Sequence, residues 1–247
     1  YYEDRKSKLL TFFYGNIDNL EELSKKFNID AKANLAEIIS IVSNLRGEAF
    51  ARDIKGAFVV CIFDEKNQNI RAYKDHLGQK PFFFSKVNSS LVFATDIKQI
   101  VDLGLKEYSL NRRRIIYFLT YLCGPHSETF FKNIFRLPAR NRLLVSNESI
   151  EIEEYFQFKD TKIEKKDDEI IKELRQILEK AIMNNLPQKK VASKLSGGLD
   201  SSTISAILLK NNDKRNIDLF SGVYDLDLKD LDSVNEYKYI ESFSEFH

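Results

Sequence analysis

The sequence predicts two folds in succession. The first is α+β, built of antiparallel sheets with helices packed on them; the second is the start of an α/β domain with a parallel sheet. Three observations carry this prediction. Short apolar runs joined by tight turns fill residues 1–158. A charge cluster, KDTKIEKKDDE, follows at 159–169 and reads as a solvated linker or helix start. Beyond it, helical and strand-like segments alternate, the pattern of βαβ units. The boundary therefore falls between 158 and 159, with the second domain running over 159–247.

In order, KLLTFFY (8–14) is a β-rich run closed by Gly15. Apolar spacing nearer 3.6 predicts helices over 19–27 and 35–45. GAFVVCIFD (56–64) is a near-continuous apolar run of strand length, and IRAYKD (70–75) returns after a polar turn. Gly78 and Pro81 break the chain in HLGQKP. PFFFSK, the turn VNSS and LVFATD form a further hairpin. A helical pattern runs from Ile97 to about Leu122, then an irregular segment leads to strand pairs near 142–155. In the second part IIKELRQILEKAI is an amphipathic helix and KKVASKL a short strand. SGGLDSS is a glycine loop, STISAILLK a helix, IDLFSGVY a strand and VNEYKYIESFSEF a helix.

Composition excludes several classes. The 247 residues carry 38 basic and 37 acidic side chains, a formal charge of +1. That balance provides no global field for nucleic acid or anionic lipid, so neither partner is expected. Hydrophobic residues at 43% and aromatics at 12% suffice for packed cores, which rules out disorder as the main state. No apolar run reaches the roughly 20 residues of a membrane-spanning helix. Two cysteines, Cys61 and Cys123, cannot build a disulfide scaffold, and a reducing cytoplasmic setting fits. His76, His126 and His247 show no metal-ligand spacing, and His76 reads as a hydrogen-bonding turn residue.

Chemistry concentrates in Ser196, Gly197, Gly198, Leu199, Asp200, Ser201 and Ser202, which follow a strand and open a helix. Backbone N–H groups and the helix dipole receive phosphate in that geometry. Glycine lets the backbone approach phosphate oxygens closely, and the serine hydroxyls can donate to an anion. Asp200 repels phosphate unless Mg²⁺ lies between them, a cation that favours carboxylate plus phosphate oxygens. The loop lacks the lysine of a Walker A motif and the spacing of GxGxxG, so it is a phosphate binder of another type.

SGGLDSS resembles the pyrophosphate loop of the ATP-pyrophosphatase superfamily, and within it the asparagine synthetase family. The first half resembles the same family's class II glutamine amidotransferase domain. There GAFVVCIFDEKNQNIRAYKDHLGQKPFFF, LVFATDIKQI and TFFKNIFRLPA follow the family's motifs in the family's order. The resemblance implies ATP and Mg²⁺ as cofactors and adenylation of a carboxylate, aspartate in a true synthetase. Pyrophosphate and AMP are released, and ammonia drawn from glutamine attacks. It implies that Ser196 to Ser202 bind the β/γ-phosphates, that Asp200 reaches Mg²⁺, and that Gly222 lies near the adenosine contact. The partners it implies are small molecules (ATP, glutamine or ammonia, aspartate or another carboxylate), with a homodimer left open.

The first domain departs from the family. The resemblance implies an N-terminal nucleophilic cysteine, which is not at position 1, so the chain is expected to begin some tens of residues into that domain and to stop partway through the next. Tyr14, Gly15 and Asn16 stand where the family has its glutamine-binding Asn-Gly-Glu, and Leu35 stands where it has Asp, next to the matching Glu37. An oxyanion donor and a contact to the glutamine α-amino group are thereby expected to be lost. Lys194 replaces an apolar residue and reads as an exposed strand end. Three readings follow: an asparagine-synthetase-like ligase; a β-lactam-synthetase- or lasso-cyclase-like amide cyclase with a degenerate glutaminase half; and a non-catalytic remnant.

Overall fold

Residues 58–62 alternate strictly in what they touch. Phe58, Val60 and Ile62 enter one core, while Val59 and Cys61 enter another. A strand buried on both faces reads as an unbroken apolar run, and this one is the middle of the first unit. The computed structural model describes residues 1–30, 32–88, 90–146, 149–186, 190–211, 217–223 and 236–246. Contacts divide the chain into two units, Tyr1–Asp160 and Thr161–His247.

The first unit runs β1 (Tyr2–Asp4), β2 (Leu9–Gly15), α1 (Leu20–Phe27), α2 (Leu35–Arg46), a 3₁₀ turn (Gly47–Arg52), β3 (Phe58–Asp64) and β4 (Asn69–Lys74). It continues with β5 (Phe83–Val87), β6 (Ser90–Ala94), α3 (Ile97–Asp102), α4 (Arg112–Leu119), β7 (Phe135–Arg136), β8 (Asn141–Val145) and β9 (Ile150–Glu154). Two antiparallel sheets result, ordered β1-β2-β3-β4-β8-β9 and β6-β5-β7. One core joins the larger sheet to α1 and α2 through Leu23, Ile38, Ile39, Val42, Phe50 and Tyr73. A second lies between the sheets, where Phe82 and Phe84 meet Cys61, Ala72 and Leu143. A third packs Ile100 of α3 against Phe83 and Ile134. The order of layers is thus helix, sheet, sheet, helix.

Local chemistry sets the boundaries. Asn34 caps α2 by accepting from the Ala36 N–H at 2.8 Å. Asp75, with 0% exposure, accepts the N–H groups of Leu77, Gln79 and Lys80 at 3.1, 2.9 and 3.0 Å. That carboxylate shapes the turn that ends β4. The single helix expected from Ile97 to Leu122 is corrected: α3 and α4 are separate. Gly104 adopts φ +62°, and Leu110 bridges to Phe131, which pulls the chain out of helix before Asn111 caps α4. Cys61 is buried, with its thiol pushed up to about 12 by desolvation, whereas Cys123 is exposed. His76 stacks on Phe156 with centroids 4.0 Å apart, and its Nε2 is buried with no hydrogen-bond partner among the described residues.

The second unit holds α5 (Asp167–Asn184), β10 (Val191–Lys194), α6 (Leu199–Lys210), β11 (Ile217–Phe220) and α7 (Tyr237–Phe246). β10 and β11 are parallel, with Val191 opposite Ile217 and Lys194 opposite Phe220. The strand–helix–strand order gives the expected α/β start. Ser89, Lys189, Tyr224, Val234, Asn235 and His247, all read above within elements, turns or histidine spacing, lie outside the described residues.

Candidate phosphate-binding loop and candidate glutamine-binding turn

The loop between β10 and α6 is held from both sides. Leu195, 2% exposed, is buried and donates its N–H to the Phe220 carbonyl at 2.8 Å. The Ser221 hydroxyl donates to the Leu195 carbonyl at 2.7 Å, so the ladder between the parallel strands extends past their ends. Gly222 follows that anchor directly and is exposed, with nothing among the described residues within 4 Å of where a Cβ would stand. Buried Ser193 and Ser205 share a 3.0 Å hydroxyl bond that fixes β10 on α6.

Within the loop, Gly197 has φ +87°, a left-handed conformation suited to glycine. The Ser201 hydroxyl donates to the Gly198 carbonyl at 3.0 Å and accepts the Ser196 N–H at 3.2 Å. The Ser196 and Ser201 hydroxyls lie 3.0 Å apart, and the Gly198 N–H reaches the Ser196 oxygen at 3.4 Å. Two of the three serines thus brace the loop itself. Among the described residues the Ser202 hydroxyl makes no such bond. The first helical hydrogen bond is from the Ser202 N–H to the Gly198 carbonyl at 3.1 Å. The N–H groups of Leu199, Asp200 and Ser201 precede it and find no acceptor among the described residues, as expected of a helix N-terminus. Three free donors beside a helix dipole form a receptor for an anion. Asp200 is exposed in the first turn of α6, where its carboxylate can face a cation shared with that anion. Lys194 is exposed, on the opposite side of β10 from Ser193. A groove of about 730 Å³ between α5 and α6 is lined by Ile171, Leu174, Leu178 and Ile207 but by none of these donors, so the polar chemistry belongs to the loop.

Sequence reasoning missed one neighbour of the loop. A Cβ on Gly197 would stand 3.0 Å from the Glu236 carbonyl oxygen and 3.1 Å from its Cβ. The start of α7 therefore sits against the loop. The one signal available was the glycine itself.

In the first unit, Tyr14 and Gly15 end β2. Gly15 has φ +136°, and a Cβ there would fall 2.0 Å from the Ala57 carbonyl oxygen. The Asn16 N–H donates to that same oxygen at 2.9 Å, while its side-chain amide donates to Asp18 at 2.5 Å. The Lys80 ammonium stands over the Tyr14 ring at 5.2 Å. Leu35 packs against the first core. The turn is present, and the side chains on it are engaged by their own neighbours.

Residues 2–156 match the family described as glutamine amidotransferase domain. The chain belongs to that family. Residues 173–246 of this amidotransferase-family chain match the family described as asparagine synthase. It is similar to a Methanocaldococcus jannaschii protein provisionally named asparagine synthetase (glutamine-hydrolysing) 2, with 29% identity over 89% of this chain and 45% of that protein. Asparagine synthetase (glutamine-hydrolysing) 3 of Bacillus subtilis is 30% identical over 62% of this chain and 25% of its own length. Amidase chyE of Penicillium rubens is 26% identical over 76% of this chain and 28% of its own length. The chain spans less than half the length of each of these relatives. No helix among the described residues is long and apolar enough to cross a membrane.

Proposed function

We propose that this chain is part of an ATP-dependent, amide-forming ligase of asparagine synthetase type. It adenylates a carboxylate, aspartate in the leading reading, and releases pyrophosphate and AMP in a cytoplasmic setting. The observation that carries the reading is the set of N–H groups of Leu199, Asp200 and Ser201, without an acceptor among the described residues, at the mouth of a glycine loop braced by Ser196 and Ser201. Those donors hold the β/γ-phosphates, and the positive end of α6 offsets the charge that builds on the departing pyrophosphate. Ser202 supplies a further hydroxyl. The donor set fits a divalent cation: Asp200 is exposed beside the phosphate donors and forms no ion pair among the described residues. When bound there, Mg²⁺ supplies charge neutralisation between carboxylate and phosphate. Gly222, exposed next to the Ser221–Leu195 anchor and with nothing among the described residues within 4 Å of a Cβ there, is the position assigned to the adenosine contact.

Glutamine is the expected source of ammonia in this reading. One observation favours a second reading, an amide cyclase of β-lactam-synthetase or lasso-cyclase type that uses an internal amine. Tyr14 lies under Lys80, and Leu35 is committed to the core, so neither offers the polar contacts glutamine needs. The experiment that separates the two is an ATP turnover assay on the full-length protein with glutamine, ammonia or neither. Aspartate-dependent turnover supported by glutamine or ammonia supports the synthetase. Turnover of an amine-bearing carboxylate without either supports the cyclase. No turnover with any carboxylate rejects both.

A further inference from the structure

We propose that a depression on the helix-facing side of the larger sheet binds a small zwitterion, an α-amino acid, held by Arg71, Asn69 and Glu151. The site belongs to the first unit and stands independently of the nucleotide reading above.

Strand register places the three residues. Side chains two apart on a strand share a face, so Asn69 and Arg71 of β4 face the same way as Tyr73, which enters the core with α1 and α2. Arg71 is opposite Leu144 of β8, and Leu144 is opposite Glu151 of β9. The three form a row on that face, with Arg71 and Glu151 two strand spacings apart, about 10 Å. α2 packs over β1 and β2. Beyond it lies a depression of about 230 Å³, lined by Glu48, Asn69, Arg71, Leu144, Ser149 and Glu151 among others.

Two buried atoms of its lining residues are unmatched. Arg71 Nε, a donor, and Asn69 Oδ1, an acceptor, have no hydrogen-bond partner among the described residues. Buried polar atoms are normally satisfied, so an orphaned pair beside a cavity points to an occupant. Neighbouring charges are engaged elsewhere. Arg142 bonds Glu48 and Glu153, each at 2.7 Å, and Asp64 accepts from the backbone and side-chain N–H groups of Asn67 at 3.0 and 2.8 Å. Of the charged side chains lining the depression, Arg71 and Glu151 form no ion pair among the described residues.

An anion satisfies the guanidinium but not Asn69 Oδ1, and a cation does the reverse. A zwitterion satisfies both. Its carboxylate accepts from Arg71, while its ammonium donates to Asn69 Oδ1 and is drawn towards Glu151. Ordered water is the competing occupant, since it also donates and accepts, but it gives the Glu151 charge no role.

The test is a ligand-observed NMR titration of the full-length protein with L-alanine, and with acetate and methylammonium as its two charged halves. The expected result is saturable binding of L-alanine, with each half at least about tenfold weaker. Arg71→Gln and Glu151→Gln should each weaken L-alanine about tenfold, the size of a lost charge-assisted contact. Glu151 is exposed on an edge strand, so Glu151→Gln reports on binding even where Arg71→Gln perturbs folding. Failure of L-alanine to bind overturns the proposal in favour of water. Binding unchanged in Glu151→Gln places the ligand elsewhere and overturns it too. Acetate binding as tightly as L-alanine would mark a simple anion site and contradict the zwitterion.

Discussion

Gly197 and Gly15 are both left-handed, and both face backbone atoms where a side chain would begin. Their substitutions nevertheless have different readouts. At Gly15 the obstruction is the Ala57 carbonyl at 2.0 Å and the Phe58 Cα at 2.8 Å, neither of which can rotate away. Gly15→Ala is predicted to destabilise the first unit by about 3 kcal/mol, from backbone strain and overpacking together, measured by urea unfolding. At Gly197 the contact is looser, and the loop can shift to relieve it. Gly197→Ala is predicted to weaken ATP binding about tenfold, the equivalent of roughly 1.4 kcal/mol of loop strain, with little change in unfolding of the first unit. The cysteines give a simpler check. Burial pushes the Cys61 thiol up to about 12, so it stays protonated and shielded. A thiol reagent at neutral pH should label only exposed Cys123 in the folded protein and both cysteines in denaturant. Rapid labelling of two thiols in the native state would contradict the placement of β3 between two cores.

Between elements, Asp53 ties α1 and α2 to the end of the 3₁₀ turn through Lys26 at 2.8 Å and Arg46 at 2.9 Å. Desolvation works to raise its carboxyl, but the two cationic partners outweigh it and hold it below the usual value. A carboxyl lowered on folding stabilises the fold above its unfolded pKa of about 3.9, and that contribution is lost as pH falls through the lowered folded value. Asp53→Asn should therefore cost stability at pH 7, about 1 kcal/mol for a partly exposed pair. It should also make unfolding less steep as pH drops below about 4, read by denaturant melts across pH. At this scale the limits of the sequence are also clear. β3 was legible because burial on both faces leaves an unbroken apolar run, and the hairpins were legible from their turn residues. β1 was not, since three residues become a strand only by pairing with β2. Nor was the break between α3 and α4, which depends on Leu110 meeting Phe131, a contact distant in sequence from the helical pattern. The strand–glycine-loop–helix arrangement of β10 and α6 was legible because its three parts are contiguous. Glu236 was not, because it reaches Gly197 from the far side of a long connection.

On the scale of the whole chain, each unit has its own elements and, in the first, three separate cores. Ligand effects should accordingly be unequal. ATP with Mg²⁺ at about 100 times its dissociation constant stabilises the state that binds it by about 2.7 kcal/mol. Hydrogen exchange should show that protection in β10 and α6, with the strands β2, β3 and β4 unchanged. Protection confined to the first unit would place the nucleotide elsewhere. The central claim, carboxylate adenylation at the loop of Ser196 to Ser202, is tested most directly by pyrophosphate release from the full-length protein with ATP, Mg²⁺ and aspartate. The account predicts release that requires aspartate, falls at least tenfold in Asp200→Asn, where a carboxylate that faces the metal is lost, and yields AMP in equal amount. Absence of ATP turnover with aspartate or any other carboxylate would contradict it.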